Sequence, residues 1–405
     1  MNVLFLGNGF DLRHKLPTKY INFLNTVDFL STQYVSKIST VGDVFSDKKL
    51  ISRDIEIKES YSLYGENYDE IVLDDPVLNQ LKELSNNLWY KYFSKTLNYD
   101  VKWIDFEKEI YMVIRSFQNL FALNVETDVD LYELDIESKY IIEQFDFFLI
   151  STDVRCGYPK IKQEYLIEVP IGSKNKIMDK TAIVKELTMQ LNEFSQALKT
   201  YLKFFVEKMV EKATNIPDQQ WKQAFQYTDY AITFNYTNTY ELLYKRGEVL
   251  HIHGNVNTEI VLGVNPDGAD TIETVDTTFV PFKKYFQRIK HKTDIKYLEF
   301  IEKYKNSTDL ALYIIGHSLN ITDKDIIQEV FSVANKIFIL SYDDQDESNH
   351  ISNLINIFGK SDFDQIRREK DISFISISED IKTAMKENSN EEKNRRWNAM
   401  MRAVR

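Results

Sequence analysis

The chain opens on a short apolar run, Val3-Leu4-Phe5-Leu6, that stops at Gly7-Asn8-Gly9. A short apolar run closed by turn residues reads as a buried strand, here residues 2–6. Leu16-Pro17-Thr18 follows, with Thr18 placed to cap a helix carrying Tyr20, Ile21, Phe23 and Leu24. From about 40 to 100 the chain mixes acids and tyrosines without a strong period, and 125–185 is charged and irregular. Two stretches keep three-four spacing. Residues 103–121 carry Ile110, Val113, Ile114, Phe117, Leu120 and Phe121, and 186–212 carry Leu191, Phe194, Leu198, Leu202, Phe205 and Met209. Both predict helices whose stripes are core faces.

After residue 228 the pattern changes. Strand-like runs appear at Tyr230-Ala231-Ile232-Thr233-Phe234, Val249-Leu250-His251-Ile252, Ala311-Leu312-Tyr313-Ile314-Ile315, Lys336-Ile337-Phe338-Ile339-Leu340 and Ser373-Phe374-Ile375-Ser376-Ile377. Helix-like stretches such as 238–245 and 323–334 separate several of them. Strand–helix alternation predicts an α/β fold with a mostly parallel sheet. The simplest topology begins that sheet at residue 2, interrupts it with a large, mostly helical insertion, and completes it after residue 228. This divides the chain into a nucleotide-binding unit (1–30 and 229–380), a largely helical insertion (31–228) and a basic C-terminal tail (381–405).

Composition narrows the partners. With 405 residues, 43% of them hydrophobic, and 24 Tyr and 26 Phe, the chain has ample core material. The single cysteine, Cys156, has no internal disulfide partner, which fits a reducing cytoplasm. The net charge of −12 disfavours nonspecific binding to nucleic acid. No apolar run approaches the roughly 20 residues that span a bilayer, and the N-terminus lacks the basic region of a signal peptide. No membrane association is expected.

The unusual polar residues stand at the carboxyl ends of the expected strands, where open parallel sheets bind ligands. They are Gly7-Asn8-Gly9-Phe10-Asp11, Asn235-Tyr236-Thr237-Asn238, His253-Gly254 and Gly316-His317-Ser318-Leu319. Gly7 and Gly9 permit a tight turn and a close approach to a phosphate, with the next helix offering its free N–H groups. The third glycine of the dinucleotide fingerprint is replaced by Leu12. Asp11 is suited either to a ribose hydroxyl or to capping a helix. Arg13, Lys15 and Lys19 can face phosphate or solvent. Asn235 is a neutral amide able to orient water or a hydroxyl, and His253 can accept a proton near neutrality. His251 and His253 share a strand face, so one can pack while the other reacts. A His-x-His pair without a third histidine or a carboxylate cluster at ligand spacing predicts no metal. His317 is suited to a base, a ribose or the backbone. Glu107 either reaches the site or, preferably, caps or salt-bridges its own helix.

Taken together, Gly7-Asn8-Gly9-Phe10-Asp11-Leu12 with Leu16-Pro17-Thr18, Trp103-Ile104-Asp105-Phe106-Glu107, Thr233-Phe234-Asn235-Tyr236-Thr237, His251-Ile252-His253-Gly254, and Gly316-His317-Ser318-Leu319 with Asp323 resemble the bacteriophage abortive-infection AbiH family. The resemblance covers roughly residues 2–345. Lys15 stands where that family usually carries glycine before Leu-Pro-Thr. The motif order is also similar to the sirtuin-like domains of antiphage effectors, whose Asn and His bind and cleave NAD. That similarity implies a Rossmann-like (sirtuin-like) sheet, with Asn235 and His253 as catalytic residues. It also implies Gly7, Asn8 and Gly9 as a phosphate loop and Gly316 and Ser318 as an adenosine-ribose contact. Thr237 replaces the Asp, and Asn8 the loop alanine, of that pattern.

Three functions are thereby expected, in order. The first is an antiphage effector that binds NAD, as substrate or ligand, and hydrolyses its nicotinamide–ribose bond. Asn235, His253, Asp11, His317 and Asp323 would then be grouped around the ribose. The second is a non-catalytic, nucleotide-gated sensor of infection. The third is a nucleic-acid-directed effector using Lys393-Asn394-Arg395-Arg396-Trp397 with Arg402 and Arg405. The resemblance also leaves room for a phage-encoded trigger and for a homo-oligomer.

Overall fold

The structure is a computed structural model that describes residues 1–32, 38–96, 105–123, 133–149, 160–168, 176–213, 219–265, 277–376 and 381–390. Trp103, Ile104, Cys156 and the basic segment 393–405 lie outside the described residues.

The expected strands form, each within two residues of its predicted bounds: β1 (Asn2–Leu6), β2 (Tyr230–Thr233), β3 (Glu248–His251), β4 (Ala311–Ile315), β5 (Lys336–Ser341) and β6 (Asp371–Ser376). All pair in parallel, in the spatial order β3-β2-β1-β4-β5-β6. Every residue of β1 and β4 is buried, as both faces of a parallel sheet require. Alternation along β1 sends Val3 and Phe5 into one core with Ile326, Ile327 and Val330, and Leu4 and Leu6 into another with Trp221, Phe225 and Tyr240. The direction of sheet growth reverses between β1 and β4. A crevice therefore opens beyond their carboxyl ends.

A third core gathers residues from Leu16 to Val210, between β1 and β2, with Tyr236, Val256, Ile260, Leu262, Val264, Phe279 and Phe282 from beyond β2. The helix bearing the second long stripe starts earlier than expected, at Lys180, because Asp179 accepts from the Ala182 N–H at 2.9 Å. It runs Lys180–Tyr201 and continues through a π-helical turn, Leu202–Glu207. All six stripe residues are buried. The first stripe lies on Phe106–Ala122, capped by Asp105.

The stretch that looked patternless from 40 to 100 contains five helices: Val41–Phe45, Lys48–Arg53, Ile55–Asp69, Asp75–Glu83 and Leu88–Thr96. All five carry a side-chain cap, from Thr40, Asp47, Asp54, Asp74 and Asn87. These caps were the available signal; four of the helices have nine residues or fewer, and the longest, Ile55–Asp69, buries Ile57, Ser60, Tyr64 and Tyr68, a face too polar for an apolar period to emerge. Within 125–185 the described residues include the helix Ile136–Glu143 and two small antiparallel ribbons.

Residues 381–390, expected as the start of a tail, are helical, and they bury Ile381 and Met385 beneath the sheet. Asn2 holds them there. Its Nδ2 donates to Tyr227 O at 3.0 Å and Met385 O at 2.9 Å, while its Oδ1 accepts from Asn388 at 2.9 Å. Asn2→Ala strands these buried partners and is expected to cost about 1–3 kcal/mol. Urea denaturation checks it, an unchanged midpoint counting against the role. Among the described residues no helix is long and apolar enough to cross a membrane.

Candidate functional site

The crevice is built by two loops that interlock. Gly7 N–H donates to Ile315 O at 3.1 Å and Gly9 N–H to Gly316 O at 2.8 Å. A Cβ on Gly7 would lie 2.5 Å from His317 Cα, and one on Gly9 would lie 2.7 Å from Gly316 Cα. Gly316 adds a left-handed φ of 65°. The glycines thus let the β1 and β4 loops touch, and the amides of Gly7 and Gly9 are occupied by that contact.

Asn8 begins a short helix, Asn8–Arg13, and its Oδ1 accepts the Thr18 hydroxyl at 2.6 Å. Thr18 is therefore not the cap of the next helix, Tyr20–Thr32. There the Lys19 N–H donates to Asn22 Oδ1 at 2.9 Å instead. Lys15 sits at φ 59°, the conformation that favours glycine at its position, and pairs with Glu59. Lys19 pairs with Glu56, and Arg13 lies 4.6 Å over the Trp221 ring.

Asp11 is buried. Its Oδ2 accepts the Thr237 hydroxyl at 2.6 Å, while its Oδ1 has no hydrogen-bond partner among the described residues. Burial pushes the carboxyl up to about 6, although Thr237, Thr239 and Asn235 pull it back. Asn235 is also buried, and its N–H donates to Thr233 Oγ1 at 3.1 Å. The next turn is held by Glu207 from the π-helical segment, which accepts from Asn238 N at 3.0 Å and Nδ2 at 2.8 Å. π-helical turns recur at functional sites because they displace one turn of a helix face.

The two histidines of the β3 motif part company. His251 ends the strand and pairs with Glu241 at 2.5 Å and the Asn235 carbonyl at 3.2 Å. His253 lies beyond it, buried, with Nε2 3.1 Å from Asp323 Oδ1. The same oxygen accepts from the buried Lys284 ammonium at 2.8 Å, which also reaches Glu107 Oε2 at 2.7 Å. Burial alone would raise the Asp323 carboxyl, but the Lys284 charge and the His253 and His317 contacts hold it well below its usual range. An ionised Asp323 only accepts, so His253 Nε2 carries the proton and Nδ1 is the free acceptor. Nδ1 is buried and has no partner among the described residues. Burial and the neighbouring Lys284 charge push His253 down to about 4, which keeps the ring neutral.

His317 is clamped between Phe5 and Phe234, with ring centroids 4.9 and 4.3 Å away. Its Nδ1 accepts the Leu319 N–H at 2.9 Å, and Nε2 lies 3.7 Å from Asp323 Oδ2. Glu107 does not cap its helix; Asp105 does. Phe106 between them is fully buried, stacking 4.0 Å from Tyr20 and 4.3 Å from Phe93. That anchor directs both acids to the crevice. Burial pushes Glu107 up, to about 7, against the pull of Lys284.

One cavity of about 320 Å³ is lined by Gly7, Asn8, Gly9, Asp11, Asn235, His253, Gly316, His317, Ser318 and Asp323. Those are all the site residues expected from sequence. It is also lined by Thr18, Lys19, Tyr20, Asp105, Leu198 and Leu202. Sequence reasoning missed Lys284, an ordinary lysine in the helix Lys284–His291, and the contribution of Leu198 and Leu202 from the long helix. Nothing local marks any of the three. A wider groove of about 1140 Å³ lies between residues 80–87 and 181–197 and holds none of the expected residues.

No curated protein and no solved structure matches the chain. A family model described as bacteriophage abortive infection AbiH matches residues 3–342. That span takes in every motif end that lines the crevice, and the chain belongs to the bacteriophage abortive infection AbiH family.

Proposed function

We propose that the chain is an antiphage abortive-infection effector that binds NAD in the β1–β4 crevice and hydrolyses the nicotinamide–ribose bond. The observation that carries this reading is a pair of buried, unpartnered acceptors, Asp11 Oδ1 and His253 Nδ1, in one cavity with the Asn235 amide. The strand order 3-2-1-4-5-6 is that of doubly wound dinucleotide-binding sheets, which favours a Rossmann-like, sirtuin-like fold. The volume lies at the small end of the roughly 300–1,000 Å³ of small-molecule sites. It suits the nicotinamide riboside half, with the remainder of the dinucleotide along Ser318 and Asn8.

The chemistry fits these groups. The C1′–N1 bond breaks, and its electron pair neutralises the pyridinium nitrogen, so nicotinamide leaves without an acid. The ribosyl cation that forms is favoured by the Asp11 carboxylate. Asn235 holds a water in line. His253 Nδ1 takes the proton only as the water oxygen bonds to C1′, because the oxonium so formed is far more acidic than an imidazolium held at about 4. The products are nicotinamide, ADP-ribose and one proton, which His253 returns to solvent.

Infection supplies the trigger, so the test is made in infected cells. NAD is expected to fall and ADP-ribose to rise with the intact chain and not with Asn235→Ala. If infection is blocked while NAD stays level, hydrolysis is wrong. Nucleotide binding seen by calorimetry would then favour the gated sensor. The pH profile is a finer check. Asp11 must be ionised and titrates at about 6, so turnover rises with pH through that value and is flat above it. His253, at about 4, adds no limb near 6.5. Asp11→Asn should lower the rate and remove the limb; a limb that survives in Asp11→Asn assigns it to another group.

A further inference from the structure

We propose that Lys284 is a positioning residue. By ion-pairing Asp323 it fixes the carboxylate that orients His253, so that the ring presents Nδ1 to the cavity as an unprotonated acceptor. Glu107, from the helical stretch between β1 and β2, balances the lysine charge. The use made of Nδ1 rests on the hydrolytic reading; the device that sets its state does not.

Lys284 is fully buried, and its ammonium is surrounded by acceptors: Glu107 Oε2 at 2.7 Å, Asp323 Oδ1 at 2.8 Å and Thr322 O at 3.5 Å. A buried lysine is costly unless it is paired, and this one has two carboxylates. The lysine is held in place by its own backbone, whose N–H donates to Val264 O at 2.8 Å. The charged or titratable groups around His253 come from four elements. They are Asp323 before the helix Lys324–Val333, Lys284 and Arg288 on one helix, His317 after β4, and Asp105 and Glu107 at the start of Phe106–Ala122. Arg288 is engaged by Asp325.

A protonated His253 would need an acceptor at Nδ1, where the described residues provide none, and it would set a second cation beside Lys284. The lysine therefore disfavours the imidazolium by charge while holding its orienting partner by hydrogen bonding. Without the ammonium, two buried carboxylates face each other. His253, hydrogen-bonded to one of them and no longer beside a cation, then takes up a proton. The alternative role for Lys284, simple packing, predicts no change in the protonation of His253.

The test follows the Cε1–H resonances of chain labelled with ¹³C-histidine between about pH 5 and 8. There are six histidines, and His253 is assigned by its absence in His253→Gln. In the unaltered chain its signal is expected to stay flat, as a neutral ring. In Lys284→Met an inflection is expected to enter the window, moving toward the ordinary histidine value of 6.5. Lys284→Arg is expected to stay flat, since it keeps the charge. Should Lys284→Met fail to fold, Lys284→Met with Glu107→Gln leaves the cluster's net charge unchanged and is expected to show the same inflection. A flat His253 signal in either folded Met variant overturns the proposal, as does an inflection in the unaltered chain. No NAD is present, so failure of the chain to cleave NAD would defeat the hydrolytic reading and leave this result standing.

Discussion

His253→Ala is expected to lower nicotinamide release by about 10²-fold, the lower end of what a positioned general base contributes, because a base held at about 4 is weaker than one poised near neutrality, while the chain stays folded. The size follows from the surroundings. The ring is buried, neutral and oriented by Asp323, and the one nitrogen able to take a proton has no competing protein partner. Water in solution accepts the proton poorly at the same step, and alanine leaves only that route. Asn235→Ala should fall in the same direction by about 10²-fold, the scale on which misplacing a reacting water acts. Both are measured as nicotinamide and ADP-ribose produced from NAD, with unfolding midpoints recorded alongside. His253→Ala activity within a factor of two of the intact chain would make this histidine a core residue and nothing more.

The second large effect is structural. Gly316→Ala is expected to destabilise the chain by about 3 kcal/mol or more and to disrupt nucleotide binding with it. At Gly316 the added Cβ would lie 2.3 Å from Phe10 N and 2.5 Å from Gly9 C, both rigid backbone atoms, and φ is 65°. To make room, the β1 and β4 loops must part, which breaks the Gly9 N–H to Gly316 O bond and opens the crevice wall. Gly359 provides the control. Its φ is 78°, with no atom within 4 Å of an added Cβ, so Gly359→Ala should cost only the backbone strain of about 1–3 kcal/mol and leave the crevice intact. Denaturant unfolding of the two variants separates strain from collision. Equal losses would show that the interlock contributes nothing.

The residues that line the crevice are legible in the chain where a local signal exists. Each site motif is an apolar run ending in residues that a strand tolerates poorly, and placing such ends together requires only that the strands lie parallel. The reading of individual side chains was weaker. The glycines were assigned to a phosphate, yet each was equally compatible with the backbone contact they make. Thr18 had the form of a cap and instead donates to Asn8. Glu107 stands in the first turn of a helix, where acids are common for reasons of the helix dipole, and that ordinary explanation hid its contact with Lys284. The stretch from 40 to 100 failed differently. Lys48–Arg53 buries only Leu50, and the longer Ile55–Asp69 buries Ile57 with Ser60 and two tyrosines, so neither shows an apolar period.

The six strands of the main sheet, their parallel sense and the unusual polar groups at their ends are legible along the chain, whereas the four short strands of the two antiparallel ribbons are not. The legible features follow from periodicity and turn chemistry within a few residues of each position. Only the tertiary structure decided the order of the strands, the burial of Asp11 and His253, and the meeting of Glu107, Lys284 and Asp323. The reason is physical: the protonation and orientation of a buried group depend on what surrounds it in space, and those neighbours come from separate elements far apart along the chain.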